Sequence, residues 1–95
     1  MSYEIVYAPS ALDCLLALDR ADLVDCFEQN MNRLASDPPR HSKPSRVPFP
    51  RGQAFDFSCP LGAGRRQHFR VHFFYRQNEQ ELLVFDVRTE DYLCL

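Results

Sequence analysis

Ninety-five residues, 45% of them hydrophobic, with eight Phe, four Tyr and no Trp, make a single domain over residues 1–95 with one small core and no room for a second. No apolar run approaches the ~20 residues that span a bilayer, and the first fifteen positions lack the basic start and greasy core of an export signal, so a cytoplasmic protein is expected. The net charge of −2 hides a division. Residues 1–39 carry two basic side chains against seven acids, residues 40–76 eight against the single acid Asp56, and residues 77–95 only Arg88 against five acids. A cationic middle of that density favours a polyanion such as nucleic acid, or an acidic peptide.

Tyr3, Ile5 and Tyr7 alternate with Glu4 and Val6, which predicts a short opening strand that Pro9 ends. Ser10 with Asp13 three positions on is a weak capping box, and Leu12, Leu15 and Leu16 form the stripe of a first helix running to about Leu18. Between positions 19 and 22 no Gly or Pro decides whether the helix breaks, and Asp19 or Asp22 is available to cap a second one. Leu23, Phe27, Met31 and Leu34, with Val24 and Ala35 beside them, recur at three- and four-residue steps as the face of a second helix. Asp37, Pro38 and Pro39 stop it.

Residues 37–52 hold five prolines together with Arg40, Lys43, Arg46 and Arg51, which reads as a stiff, basic connection along one edge of a sheet. A strand follows from Phe55 to Cys59, then a loop at Gly62, Ala63 and Gly64. In the next run Phe69, Val71, Phe73 and Tyr75 fall on one parity, and His68, Arg70, His72 and Arg76 on the other. A half-buried strand with a cationic outer row is expected. Pairing it with the preceding strand sets Phe57 against Phe69 and Asp56 against Arg70. The last strand places Leu83, Phe85 and Val87 on the expected inner face. A two-residue turn at Asn78 and Glu79 sets Val71 against Asp86. A three-residue loop from Gln77 to Glu79 sets Phe73 against Leu83, Val71 against Phe85 and Arg70 against Asp86, and is preferred because every pair agrees in character. The four cysteines, Cys14, Cys26, Cys59 and Cys94, show no CxxC spacing, so buried thiols are expected rather than a zinc site or a redox pair. No metal and no cofactor are expected.

A strand, two helices and a three-stranded antiparallel meander, closing on an arginine followed four residues later by a tyrosine, resemble the RelE/ParE toxin superfamily of bacterial toxin–antitoxin systems. The pieces that carry the resemblance are YEIVYAPSALDCLLAL, LASDPP, HFRVHFFY and VRTEDY, which in this order cover nearly the whole chain. The resemblance implies an α+β domain with its helices on one face of the sheet and an antitoxin protein as partner. It also implies one of two activities, because RelE-like members are ribosome-dependent ribonucleases that cut messenger RNA and ParE-like members poison DNA gyrase. By position Arg70, Arg88 and Tyr92 match residues of the ribonuclease branch, and Lys43, Arg46 and Arg51 lie where such toxins carry basic residues. Arg65, Arg66 and His72 complete the expected RNA-contacting set. Three features depart from that branch: Asp56 stands in a strand that its best-known members fill with lysines, Val87 stands where a histidine frequently precedes the arginine, and the net charge is acidic.

Cleavage through the 2′-hydroxyl needs a proton acceptor, positive charge at the phosphate and an acid for the leaving 5′-oxygen. Arg70 and Arg88 suit the phosphate as fork-shaped donors, and His68 or Tyr92 suits the protons, with His72 a second candidate. Each has a plainer reading: Arg70 as part of an ion-pair ladder, the histidines as solvated strand residues, Tyr92 as a ring packed on the sheet. Three functions therefore stay open. They are a messenger-cutting endoribonuclease, which is preferred, a gyrase poison without nuclease activity, and an inactive antitoxin-binding relative. In each case an acidic, amphipathic antitoxin segment covers the cationic face.

Overall fold

The computed structural model describes residues 2–18, 20–44, 52–76 and 78–93, for 90–93 the backbone only. In chain order the elements are β1 (Glu4–Tyr7), α1 (Pro9–Leu16), α2 (Ala21–Ser36), α3 (Pro38–His41), β2 (Lys43–Pro44), β3 (Gln53–Gly62), β4 (Arg65–Arg76) and β5 (Glu81–Leu93). The strands form one five-stranded sheet in the order β1-β5-β4-β3-β2. The expected meander is β3, β4 and β5, antiparallel throughout, while β1 returns to lie parallel to β5 with Tyr7 beside Val84. The α+β class and the position of the helices follow the expectation, and the parallel pairing of β1, the single-turn α3 and the two-residue β2 are additions to it.

The core lies between α2 and the inner face of the sheet. Leu23, Phe27, Met31, Leu34 and Ala35 are the buried side of α2, the face their spacing predicts. Phe27 sits at the centre, its ring 5.5 Å from Phe57 and 5.3 Å from Phe69, and these two stack on each other at 5.2 Å. Aromatic contacts of this geometry add to the large apolar area each ring buries. Arg20 precedes α2 with an extended backbone, and its guanidinium bonds both Asp22 carboxylate oxygens and the carbonyl of Leu61 at 3.0 Å. The start of α2 is thereby tied to the end of β3. Asp22 does not cap the helix, Asp19 lies outside the described residues, and α1 has ended by Leu16. Pro9 opens α1 rather than merely closing the strand, since its missing donor costs nothing in a first turn. Ser10 reaches the Phe85 carbonyl instead of capping. The leucine stripe of α1 is only partly covered: Ala11 is the buried residue, while Leu12 is 43% and Leu16 74% exposed.

The β3–β4 register is the expected one, with Asp56 opposite Arg70 and Phe57 opposite Phe69. Ala63 and Gly64 turn the chain at positive φ (51° and 74°), a conformation glycine adopts without steric cost. The β4–β5 register departs from the preferred one. Arg76 pairs with Glu81, Gln80 takes a positive φ of 50°, and Phe73 faces Val84 rather than Leu83. The connection is thus one residue longer than the preferred loop. Near the turn, its register is the one that the rejected two-residue turn would give. A bulge between His72 and Phe73 then leaves Phe85 as an extra residue in β5, so that Val71 faces Val87, His72 faces Asp86 and Arg70 faces Arg88. The inner residues of β5 are consequently Leu82, Val84 and Val87, not Leu83 and Phe85. In the run Leu82, Leu83, Val84, Phe85 both parities are apolar, so polarity could not choose between them.

Cys26 of α2 and Cys59 of β3 form a disulfide with their Cα atoms 6.1 Å apart, which corrects the expectation of thiols at both positions. The two are 33 residues apart in sequence, and only the packing of α2 on β3 reveals that they meet. Cys14 is a half-buried free thiol whose pKa is raised by burial and by the charge of Asp86, and Cys94 lies outside the described residues. No helix among the described residues is long and apolar enough to cross a membrane. Closing a loop of this length is worth about 3–4 kcal/mol on chain-entropy grounds. Urea unfolding with and without reductant, and of C26S/C59S, is expected to show a loss of that order; equal midpoints would contradict a cross-linked fold.

Candidate functional site

The outer face of the sheet, opposite the helices, gathers the cations. His68, Arg70, Arg88 and Thr89 line a groove of about 320 Å³. Arg70 and Arg88 are there because they are Cα partners across β4 and β5, and His68 lies one pleat from Arg70, opposite Glu90. Of the four residues expected to be catalytic, His68, Arg70 and Arg88 line one groove, although by a register other than the one expected. Tyr92 pairs through its backbone with Arg66. It stands four residues beyond Arg88, about 13 Å along the strand and on the same parity, and its side chain lies outside what the structure describes.

Asp56 organises the groove from β3. Arg70 donates from Nε to Oδ1 at 2.6 Å and from Nη2 to Oδ2 at 3.1 Å, a fork-shaped pair, and Lys43 of β2 reaches Oδ2 at 2.8 Å. His68 Nε2 lies 4.0 Å from Oδ1 of the same carboxylate. Burial pushes the Asp56 carboxyl up, but the bonds from Arg70 and Lys43 outweigh it and bring it down to about 2. Arg88 does not share Asp56; its Nε donates to Asp86 Oδ2 at 2.9 Å. The expected carboxylate on each side of Arg70 is therefore corrected: Asp56 is in place, while Asp86 faces His72 and serves Arg88 because of the bulge.

The remaining predicted contacts divide. Lys43 joins the site through Asp56. Arg66 is turned inward along β3, its Nε on the Ser58 hydroxyl at 2.8 Å and its Nη2 on the Ser58 carbonyl at 3.1 Å. Arg65 is exposed at the start of β4, opposite Leu93 and away from the groove. Arg46 and Arg51 lie outside the described residues. His72 is not a solvated strand residue: it is 4% exposed, with its ring 6.1 Å from that of Phe85. Burial lowers its pKa, and Arg88 and Arg70 push the same way against Asp86 and Asp56, which favours a neutral imidazole. Sequence reasoning missed two outer-face aromatics, Phe74 and Phe85, whose rings stack at 4.7 Å. The signal for Phe74 was present, since it falls on the cationic parity of β4.

Two guanidinium groups from neighbouring strands flank the groove, and an imidazole stands beside them, side chains whose chemistry suits an anion such as a phosphate. Groups of three or more His, Cys, Asp or Glu that could hold a metal do not occur among the described residues.

The Asp56 bonds set a pH dependence. Its folded pKa of about 2 lies below the ordinary carboxylate value of ~3.9. The stabilisation is therefore complete above pH ~4 and is lost as the pH falls through 2. With solvent screening it is on the order of 1 kcal/mol. Melting of wild type and D56N is expected to differ at pH 5 and to converge towards pH 2; a constant difference would show that the pair contributes nothing through charge.

No family model matches the sequence, and no curated protein matches it. Solved structures do. One is the RelBE2 toxin–antitoxin complex of Mycobacterium tuberculosis, with a TM-score of 0.65 at 20% identity over 95% of this chain and 100% of that one. Another is the intact RelBE toxin–antitoxin complex of E. coli, with a TM-score of 0.62 at 9% identity over 90% of this chain and 94% of that one. At these identities the likeness is one of fold, and it spans almost the whole of each chain: this protein has a RelE-like α+β fold.

Proposed function

We propose that this chain is the toxin of a type II toxin–antitoxin system and that it is an endoribonuclease cutting messenger RNA on the ribosome. The observation that carries the reading is the direct opposition of Arg70 and Arg88 across β4 and β5, with His68 lining the same groove. In this mechanism the two guanidinium groups hold the scissile phosphate and neutralise its added charge as it becomes pentacoordinate. His68 takes the proton of the 2′-hydroxyl, whose oxygen attacks phosphorus. The bond to the 5′-oxygen breaks, and Tyr92 supplies the proton to that leaving group. The products are a 2′,3′-cyclic phosphate and a 5′-hydroxyl. Lys43, Arg65 and Arg66, with Arg46 and Arg51, give the approaching RNA a positive field. The partner in the resting state is a cognate antitoxin whose acidic segment covers the same face. Ribosomes place this activity in the cytoplasm.

A second reading draws on Asp56, which engages both Arg70 and Lys43. A groove part-neutralised in this way suits a toxin that acts without cutting RNA, such as a gyrase poison, or a relative that only binds antitoxin.

Expression of the chain alone in a bacterium, with mapping of transcript ends, separates these readings. Growth arrest with new 5′ ends inside translated codons is expected. R88A and R70A should each lower cleavage on translating ribosomes by about 10²-fold or more, and Y92F by about 10²-fold. DNA breaks without transcript cleavage would favour the gyrase reading, and no arrest the inactive one. Cleavage unchanged in R88A would end the ribonuclease assignment.

A further inference from the structure

The proposed phosphate groove does not end at the arginines. From the groove, the outer face of β4 runs from His68 and Arg70 past the buried His72 to Phe74, which is 41% exposed. It lies about 13 Å from Arg70 by strand rise, on the side away from Tyr92. The ring of Phe85, the extra residue of the β5 bulge, stacks against it at 4.7 Å with planes 28° apart. Gly52 closes in from the third side: a Cβ there would stand 3.1 Å from the Phe73 carbonyl and 3.2 Å from the Phe74 ring. The ledge is thus held by a stacked partner and a close backbone. Beside it is a hollow of about 400 Å³ lined by Gly52, Gln53, Phe74 and Tyr75.

We infer that Phe74 is a stacking platform for a nucleobase of single-stranded RNA whose phosphodiester is held at Arg70 and Arg88. The inference rests on the ribonuclease reading and adds to it a site that grips the RNA away from the cleaved bond. Three observations join. An exposed phenyl face is costly in water and is matched by the π-face that every base presents. It shares a surface and a strand with the cations, so a chain of a few nucleotides, at ~3.4 Å each when stacked and more when extended, reaches from one to the other. Gln53 in the adjoining hollow carries an amide with both donor and acceptor for a base edge. A protein partner would also cover an aromatic ledge, but Arg70 and Arg88 on the same outer face favour the polyanion.

The chain has no tryptophan, so F74W places a single indole reporter on the ledge. Titration with a 2′-O-methyl RNA hexamer, which resists cleavage, is expected to quench it, while R88A in the same background weakens the response. F74A is expected to weaken hexamer binding about tenfold or more and F74Y to restore it. Binding that R88A weakens but F74A leaves unchanged, with no quenching of F74W at saturation, would overturn the platform and leave the ribonuclease reading standing. Hexamer binding insensitive to R88A, or absent, would overturn both. Loss of antitoxin binding in F74A with RNA binding intact would assign the ledge to protein docking and overturn the inference.

Discussion

Two guanidinium groups, Arg70 and Arg88, stand directly opposite each other on neighbouring strands, where like charges destabilise a sheet unless counter-charge is supplied. It comes from two directions. Asp56 on β3 takes Arg70 in a fork-shaped pair, and Asp86 on β5 takes Arg88. Each arginine is steadied by its own carboxylate, and neither carboxylate bridges the two. The opposition is imposed by the backbone ladder, so the groove between them is preset before any anion arrives. Preset positive charge of this kind is the form in which a fold stabilises developing charge at a phosphate.

The ladder holds its register because of what lies on its other side. Phe57 and Phe69 face the core directly across β3 and β4, next to the pair that links Asp56 and Arg70. Slipping either strand by one residue would carry its phenyl ring to the wet face and its charged side chain into the core. Phe27 of α2 packs against both rings, and the Cys26–Cys59 disulfide ties the same helix to β3. The packing that stabilises the fold is therefore also what fixes Asp56 opposite Arg70. The bulge at Phe85 does the complementary work on β5, turning Val87 inward and bringing Arg88 alongside Arg70.

Much of this was legible in the residues. The apolar spacing from Leu23 to Leu34 gave the buried face of α2, and polar–apolar alternation gave the β3–β4 register, because in both cases one face is wet and the other dry. The β5 register was not legible, since Leu82, Leu83, Val84 and Phe85 satisfy either parity and a bulge leaves no signature in such a run. The longer connection and the bulge each shift the pairing by one residue, which is why Asp86 was expected where Arg88 stands opposite Arg70. The pairing of Cys26 with Cys59 was hidden for a different reason: 33 residues separate them, and only tertiary packing brings a helix face onto that strand. Arg70, Arg88 and Tyr92 were singled out by their resemblance to family positions, whereas Phe74 was passed over although it interrupts the cationic row.

The central claim is that Arg70 and Arg88 act as one anion site despite their carboxylate partners. The most direct measurement follows the Nε–Hε resonances of both arginines by NMR during titration with a 2′-O-methyl RNA dinucleotide carrying a single phosphodiester. The account predicts that both resonances shift along one binding curve and that R88Q abolishes the response at Arg70. Resonances that stay fixed while the dinucleotide is added, with Arg70 held unchanged on Asp56, would contradict it.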